Sequence, residues 1–201
     1  KLRRSYGLFR TEKDFLKEKD FDKILTVHSS TKERLNFYHK LYERIFKITG
    51  EPKVILDLGA GVNPLSYNYL KTNPEYYAYD LSKEEVKIIN NFFEENNIKG
   101  KAEILDLLNI NKIKQLPKAD LAFLFKVTDV LDKGKGHKVS EEVIKAIPAK
   151  NLAVSFPILT ISGKPMNHPR RGWIEMMCKR LNYNFNILTF ENEIFYVIKK
   201  S

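Results

Sequence analysis

Residues 54–65, VILDLGAGVNPL, constrain the fold more than any other stretch of the chain. An apolar run of strand character ends at Asp57 and opens directly into Gly59-x-Gly61, a turn with no Cβ at either glycine. Such a turn lets a bulky polar ligand approach the main chain. A Gly-Lys-Ser/Thr continuation is missing, which argues against a P-loop. Position 64 is Pro where a dinucleotide fingerprint carries its third glycine. Asp57, just ahead of the turn, would repel a pyrophosphate and attract an amine. The pattern therefore suggests a ligand with positive charge near its reactive end, S-adenosylmethionine rather than a nucleotide phosphate.

The surrounding pattern predicts how that turn is held. Strand and helix signals alternate through KVILDL, PLSYNYLKT, YYAYDL, SKEEVKIINNFFEENN, KAEILDL, ADLAFLFKV, SEEVIKAI and NLAVSFP. This order predicts a doubly wound, mostly parallel sheet with ligands at the carboxyl ends of its strands. Pro64 stands near the first turn of one helix, and Ser82 with Glu85 forms a capping box for the next. RRGWIEMMCKRL is expected to be helical. NFNILTF, the turn ENE and IFYVIKK read as a closing β-hairpin that adds an antiparallel strand at one edge, as in class I methyltransferases. Ahead of this unit, residues 30–48 predict a helix with Ser30 and Glu33 as its capping box, stopped by Gly50 and Pro52. Residues 1–50 are thus a helical N-terminal extension and 51–201 a Rossmann-like domain.

Three acids fall at the ends of successive predicted strands: Asp57, Asp80 and Asp106. Strand-end Asp residues often cap the following helix, but three in register with the glycine turn point to a nucleoside-type cofactor. Gly59 and Gly61 would approach the methionine portion, and Asp57 would help hold its ammonium group. Asp80, 19 residues after Gly61, would accept from both ribose hydroxyls. Asp106 with main-chain Leu107 would meet the adenine edge. Asn63, Leu81 and Phe125 complete the expected cofactor-binding set.

Charge is uneven along the 201 residues. Residues 1–50 carry 13 Lys/Arg against 7 Asp/Glu, residues 51–132 carry 10 against 13, and residues 133–183 carry 10 against 3. Basic segments on both sides of a slightly acidic centre favour a polyanionic partner, most simply RNA. The one cysteine, Cys178, and four scattered histidines suggest neither a disulfide nor a metal site. No apolar run approaches a membrane span and no secretory signal is evident, so a cytoplasmic, monomeric protein is expected.

VHSSTKERLNFYHKLYERIF, DLGAGVNPL, ADLAFLFKVTDVLD, VSFP and NEIFYVIKK occur in the order found in the aminoglycoside-resistance 16S ribosomal RNA guanine-N7 methyltransferases, the Arm/Rmt group, which residues 27–201 resemble. The resemblance implies a class I S-adenosylmethionine methyltransferase, with a seven-stranded sheet and a helical N-terminal extension that helps bind the small ribosomal subunit. It places Lys126, Ser155 and Pro157 near the target base. The loop after Ser155-Phe156-Pro157 departs from the family pattern and reads ILTISGKPMNHPRRGW. Lys164, Arg170 and Arg171 are its expected phosphate anchors. Trp173 is either a base-stacking residue or a core anchor. Lys126 is expected either to pair with Asp129 or Asp132 or to face the guanine. Another RNA site, a small molecule or a protein is the alternative substrate.

Overall fold

The computed structural model describes residues 21–132, 136–160 and 162–200. Part of the expected N-terminal extension and part of the basic DKGKGHK stretch lie outside the described residues. Among the described residues, helices α1 (Phe21–Val27), α2 (Ser29–Arg34) and α3 (Tyr38–Thr49) precede the first strand. The strands are β1 (Val54–Leu58), β2 (Glu75–Asp80), β3 (Gly100–Ile104), β4 (Ala119–Phe125), β5 (Ala149–Pro157), β6 (Asn184–Thr189) and β7 (Glu193–Lys199). A 3₁₀ segment (Asn63–Leu70) and helices α4 (Lys83–Glu95), α5 (Ile110–Lys114), α6 (Thr128–Leu131), α7 (Lys138–Ala146) and α8 (Gly172–Arg180) connect them.

The seven strands order as β3-β2-β1-β4-β5-β7-β6, with β1 to β5 parallel. β7 runs antiparallel between β5 and β6. The strand inserted by the closing hairpin is therefore one in from the edge, and β6 forms the edge itself. The hairpin turn covers residues 190–192, so Glu193 opens β7 and is fully buried.

Period-2 alternation divides the core between the two faces of the sheet. Ile55, Tyr76, Ala78, Phe123 and Phe195 pack on one face with Leu41, Tyr42 and Ile45 of α3 and Ile89, Phe92 and Phe93 of α4. Leu56, Leu58, Ala122, Leu124 and Val154 pack on the other with α7 and α8, where Cys178 is buried. The N-terminal helices therefore share one core with the sheet, with no packing gap at residue 50.

The sequence predicted one helix over 30–48, but the chain breaks it at residues 35–37. Ser30 does not cap it. His28 occupies the N-cap of α2, and its ring nitrogen Nδ1 lies 3.1 Å from Ser30 Oγ. The break turns Arg34 inward at the end of α2 and lets α3 start afresh at Tyr38; both side chains are buried. PLSYNYLKT forms a 3₁₀ segment instead of an α-helix, with Pro64 near its start. Asn63, Pro64, Leu65, Ser66, Tyr67 and Leu70 are all buried there. Its sides face protein nearly all round, so the segment lacks the single apolar face that an amphipathic α-helix would offer.

Candidate active site

At the carboxyl ends of β1 and β2 the glycine turn folds under Asp80. Gly59 and Gly61 have φ of +69° and +52°, the left-handed region that glycine enters without penalty. The Gly59 and Ala60 N–H groups both donate to Tyr79 O, at 2.8 and 3.1 Å. Gly61 N–H donates to Asp80 Oδ2 at 2.9 Å, and Ser82 N–H donates to Asp80 Oδ1 at 3.0 Å. Asp80 is thus a buried carboxylate fixed by two backbone donors at the mouth of the crevice. Because Asp80 takes the Ser82 N–H, the capping box is only half made. Ser82 Oγ accepts from Glu85 N–H, while the Glu85 carboxylate lies 3.7 Å from His28 Nε2. Burial raises the pKa of Glu85.

Gly59 is required for a reason the sequence did not reveal. A Cβ there would lie 2.4 Å from Val127 Cγ2, so the glycine admits the loop that follows β4.

Asp57 does not end its strand. It faces the side covered by the N-terminal helices, two residues on from Ile55, and only 1% of it is exposed. Its Oδ2 accepts from Asn63 Nδ2 at 2.9 Å and from Tyr76 OH at 2.7 Å. Burial pushes its pKa up to about 7, against the lowering effect of those two donors. Asn63, expected among cofactor contacts, is likewise buried. Its Oδ1 accepts from Tyr38 OH at 2.9 Å and from Arg34 Nη1 at 3.5 Å. Burial raises the pKa of Tyr38 to about 12. Asp57 and Asn63 therefore tie the glycine turn to β2 and α3 from beneath.

On the adenine side, Asp106 stands two residues beyond the end of β3, in an exposed turn where its Oδ1 accepts from Leu108 N–H at 2.9 Å. Leu107 is buried, while Leu81 and Leu108 are 43% and 47% exposed. A shallow cleft of about 420 Å³ lined by Asp106, Leu108, Asn109, Ile110 and Asn111 adjoins this turn. Phe125 is buried at the end of β4, under the Arg34 guanidinium, 4.8 Å from its carbon to the ring centroid.

The ends of β4 and β5 are locked together. Lys126, at φ +58°, donates its N–H to Ser155 O and Oγ at 3.2 and 3.1 Å. Ser155 is buried. The Lys126 ammonium pairs with Glu33 of α2 and lies 3.7 Å from Glu193 of β7. Its partners are not Asp129 or Asp132, one of the two alternatives the sequence left open. Glu193 in turn holds Arg34 through two bonds of 2.9 Å, to Nε and Nη2. Burial opposes the charge on Arg34, but Glu193 outweighs it and raises the pKa above the usual arginine value. Arg34, Tyr38, Tyr76 and Glu193 are the residues that sequence reasoning missed. Arg34 carried a legible signal, because it is a charge four residues before Tyr38 on an otherwise apolar helical stripe, which requires a buried partner.

The basic loop after β5 is built differently from expectation. Lys164 is exposed at the turn bounded by the Leu159–Pro165 bridge. Arg170 forms a two-bond pair with Glu175, at 2.8 and 2.7 Å. Arg171 is turned inward and donates to the carbonyls of Pro157, His168 and Pro169, so it is a clamp within the loop rather than an open phosphate anchor. Trp173 packs edge-on to Phe156 and stacks on His137 with ring centroids 4.5 Å apart. With one ring face covered, it acts as a partly buried anchor in this structure. Among the described residues no His/Cys/Asp/Glu group could hold a metal, and no helix is long and apolar enough to cross a membrane.

Comparison with known proteins matches the chain, over residues 13–197, to the FmrO ribosomal RNA methyltransferase family. The chain belongs to that family. A 16S rRNA (guanine(1405)-N(7))-methyltransferase of Proteus mirabilis is 28% identical over 189 residues, which cover 89% of this chain and 64% of the relative. This FmrO-family chain thus spans less than two thirds of that relative's length. An enzyme of the same description from Serratia marcescens is 28% identical over 187 residues, covering 90% of this chain and 71% of the relative. The solved structure of the 16S rRNA methylase RmtB superposes with a TM-score of 0.79 at 24% identity, covering 99% of this chain and 80% of that one. The likeness to RmtB bears out the class I fold, with its mostly parallel sheet and closing antiparallel hairpin.

Proposed function

We propose that this FmrO-family protein is an S-adenosylmethionine-dependent methyltransferase of 16S ribosomal RNA that modifies guanine N7 in the small subunit. The observation that carries the reading is the Asp80 carboxylate, held by Gly61 and Ser82 N–H groups between the glycine turn and the exposed Leu81, with the exposed Leu108 following β3, the next strand in the sheet. A fixed carboxylate suits a ribose hydroxyl pair, and the two apolar side chains suit the faces of an adenine. The residues present fit the cofactor, and Asp80, Leu81, Asp106 and Leu107 would hold its nucleoside end. When bound, it supplies an electrophilic methyl group on a sulfonium.

The chain's own side chains support a reaction without proton removal. Lys126 is paired to Glu33 and Glu193, and the Ser155 hydroxyl is buried against the Lys126 N–H. Neither is poised as a base. Guanine N7 has a free lone pair on its major-groove edge, so none is needed. Holding that lone pair in line with the methyl donor is worth several kcal/mol through orientation alone. The charge that arrives with the methyl group stays on the guanine, and the pairing of Lys126 with two carboxylates limits its repulsion of that charge.

Small subunits incubated with the protein and labelled cofactor should yield one methylated guanine, located by mass spectrometry of nuclease fragments. The single-turnover rate should show no steep rise between about pH 6 and 8, because no base must first ionise. A methyl group on another ring nitrogen, with a rate that follows one ionisation, would replace the N7 reading. Label confined to protein or to a small molecule would end the RNA reading.

A further inference from the structure

We propose that Arg171 is a positioning residue for the RNA substrate, acting by clamping the loop 157–171 to the end of β5 rather than by touching RNA. The inference rests on the methyltransferase reading above for its substrate, and on geometry alone for the clamp. A guanidinium carries five N–H donors in a rigid planar fork. At Arg171 that fork spans the loop from end to end. Nη2 donates to Pro157 O at 3.1 Å, at the end of β5, and Nη1 donates to Pro169 O at 2.9 Å and His168 O at 3.4 Å. Its face lies over the Phe156 ring, 5.0 Å from the centroid, and Asp129 Oδ2 is 3.9 Å from Nη2.

The backbone adds a second tie. Arg171 N–H donates to Tyr196 OH at 2.8 Å, and that hydroxyl donates to Glu175 Oε1 at 2.9 Å. Both ends of the loop are thereby fixed to the neighbouring strands β5 and β7. The Arg171 side chain is only 15% exposed, against 62% for Arg170, so a phosphate would have to displace these bonds to reach it. What the clamp presents is the turn in between. Met166 N–H donates to Ile158 O, Thr160 N–H to Lys164 O, and Lys164 N–H to Thr160 Oγ1. Lys164 is thus carried at a set place relative to Ser155 and Pro157. A lysine at 171 would keep the charge, but its single ammonium cannot reach three carbonyls that lie at opposite ends of the loop.

Arg171→Ala and Arg171→Lys decide the matter, with Lys164→Ala as the comparison. In the RNA-free protein, hydrogen exchange at the Thr160, Lys164 and Met166 amides should quicken about tenfold or more in both Arg171 variants as the loop opens locally. With saturating small subunits, the single-turnover methylation rate should fall about 10- to 100-fold in both, the scale of a modest misplacement of reacting groups. Cofactor affinity should stay at the wild-type value, as should the slope of log K against log salt for subunit binding. Lys164→Ala should make that slope shallower by about 0.7–0.9. Arg171→Lys with wild-type exchange and rate would overturn the clamp, because charge alone would then suffice. A shallower salt slope in Arg171→Ala would make the residue a phosphate contact. If the wild-type protein failed to methylate subunits, the substrate part would fall, and the exchange data would still decide the clamp.

Discussion

Asp57→Asn should remove a defined part of the pH dependence of stability. The asparagine keeps an oxygen for Asn63 Nδ2 and Tyr76 OH but cannot ionise. In the native chain burial raises the carboxyl pKa from 3.8 to about 7. Below the unfolded value both states hold the proton, and Asp57 costs nothing. As pH rises through the interval, the unfolded chain releases its proton first, so native stability falls by about 1.4 kcal/mol per unit. Above about pH 7 both states are ionised and the full deficit, about 4 kcal/mol, is in place. Between pH 5 and 8 the wild-type chain should therefore lose about 2–3 kcal/mol that the variant keeps. Urea unfolding of both proteins at pH 5, 6, 7 and 8 measures this as the difference of two differences, in which every other titrating group cancels. Parallel stability curves would refute the reasoning. They would mean that Asn63, Tyr76 and Arg34 outweigh burial and keep Asp57 ionised throughout.

Three further outcomes are expected. Asp80→Ala should weaken S-adenosylmethionine binding by about 1.5–3 kcal/mol in titration calorimetry, the usual worth of hydrogen bonds to a charged group; unchanged affinity in a folded variant would remove Asp80 from the ribose. Arg34→Met removes both 2.9 Å bonds to the buried Glu193 and leaves it only Lys126, 3.7 Å away, as a cationic neighbour, so it should cost about 3–5 kcal/mol in urea unfolding. A loss below about 1 kcal/mol would equate the pair with a surface ion pair. Gly59→Ala should destabilise by about 2–4 kcal/mol, from the clash with Val127 and the left-handed backbone together. Adding Val127→Ala should recover the clash part only, and no recovery would show that Val127 is not what the glycine accommodates.

The parallel sheet was readable because its central strands β1, β4 and β5 hold apolar runs bounded by turn residues, and periodicity reports burial directly. The site was readable only in part, because residue type reports chemistry but not direction. Asp57 and Asp80 look alike in the sequence, yet one points into the packed face and the other sits at the crevice mouth. The difference is two residues of register, since Asp57 lies beside Ala78 and Asp80 stands two positions further along β2. Arg170 and Arg171 are adjacent and identical in type, but only the second lies within reach of three carbonyls. The break between α2 and α3 left no local mark, and Glu193, the partner that the inward-turned Arg34 meets, lies 159 residues further along the chain.

That separation bears on how the protein is made. β7 is the last of the seven strands in chain order, yet it sits inside the sheet and carries the carboxylate that neutralises Arg34. During synthesis the N-terminal helices and the glycine turn emerge long before Glu193 does. Until it arrives, burying Arg34 would strand a charge in an apolar core, and β5 exposes an unpaired edge. Nascent chains should therefore remain open at this seam and depend on late closure, in keeping with the slow folding of long-range pairings. One ion pair thus acts as a check on assembly, because α2, α3 and the carboxyl end of β4 become fixed only once β7 has been translated.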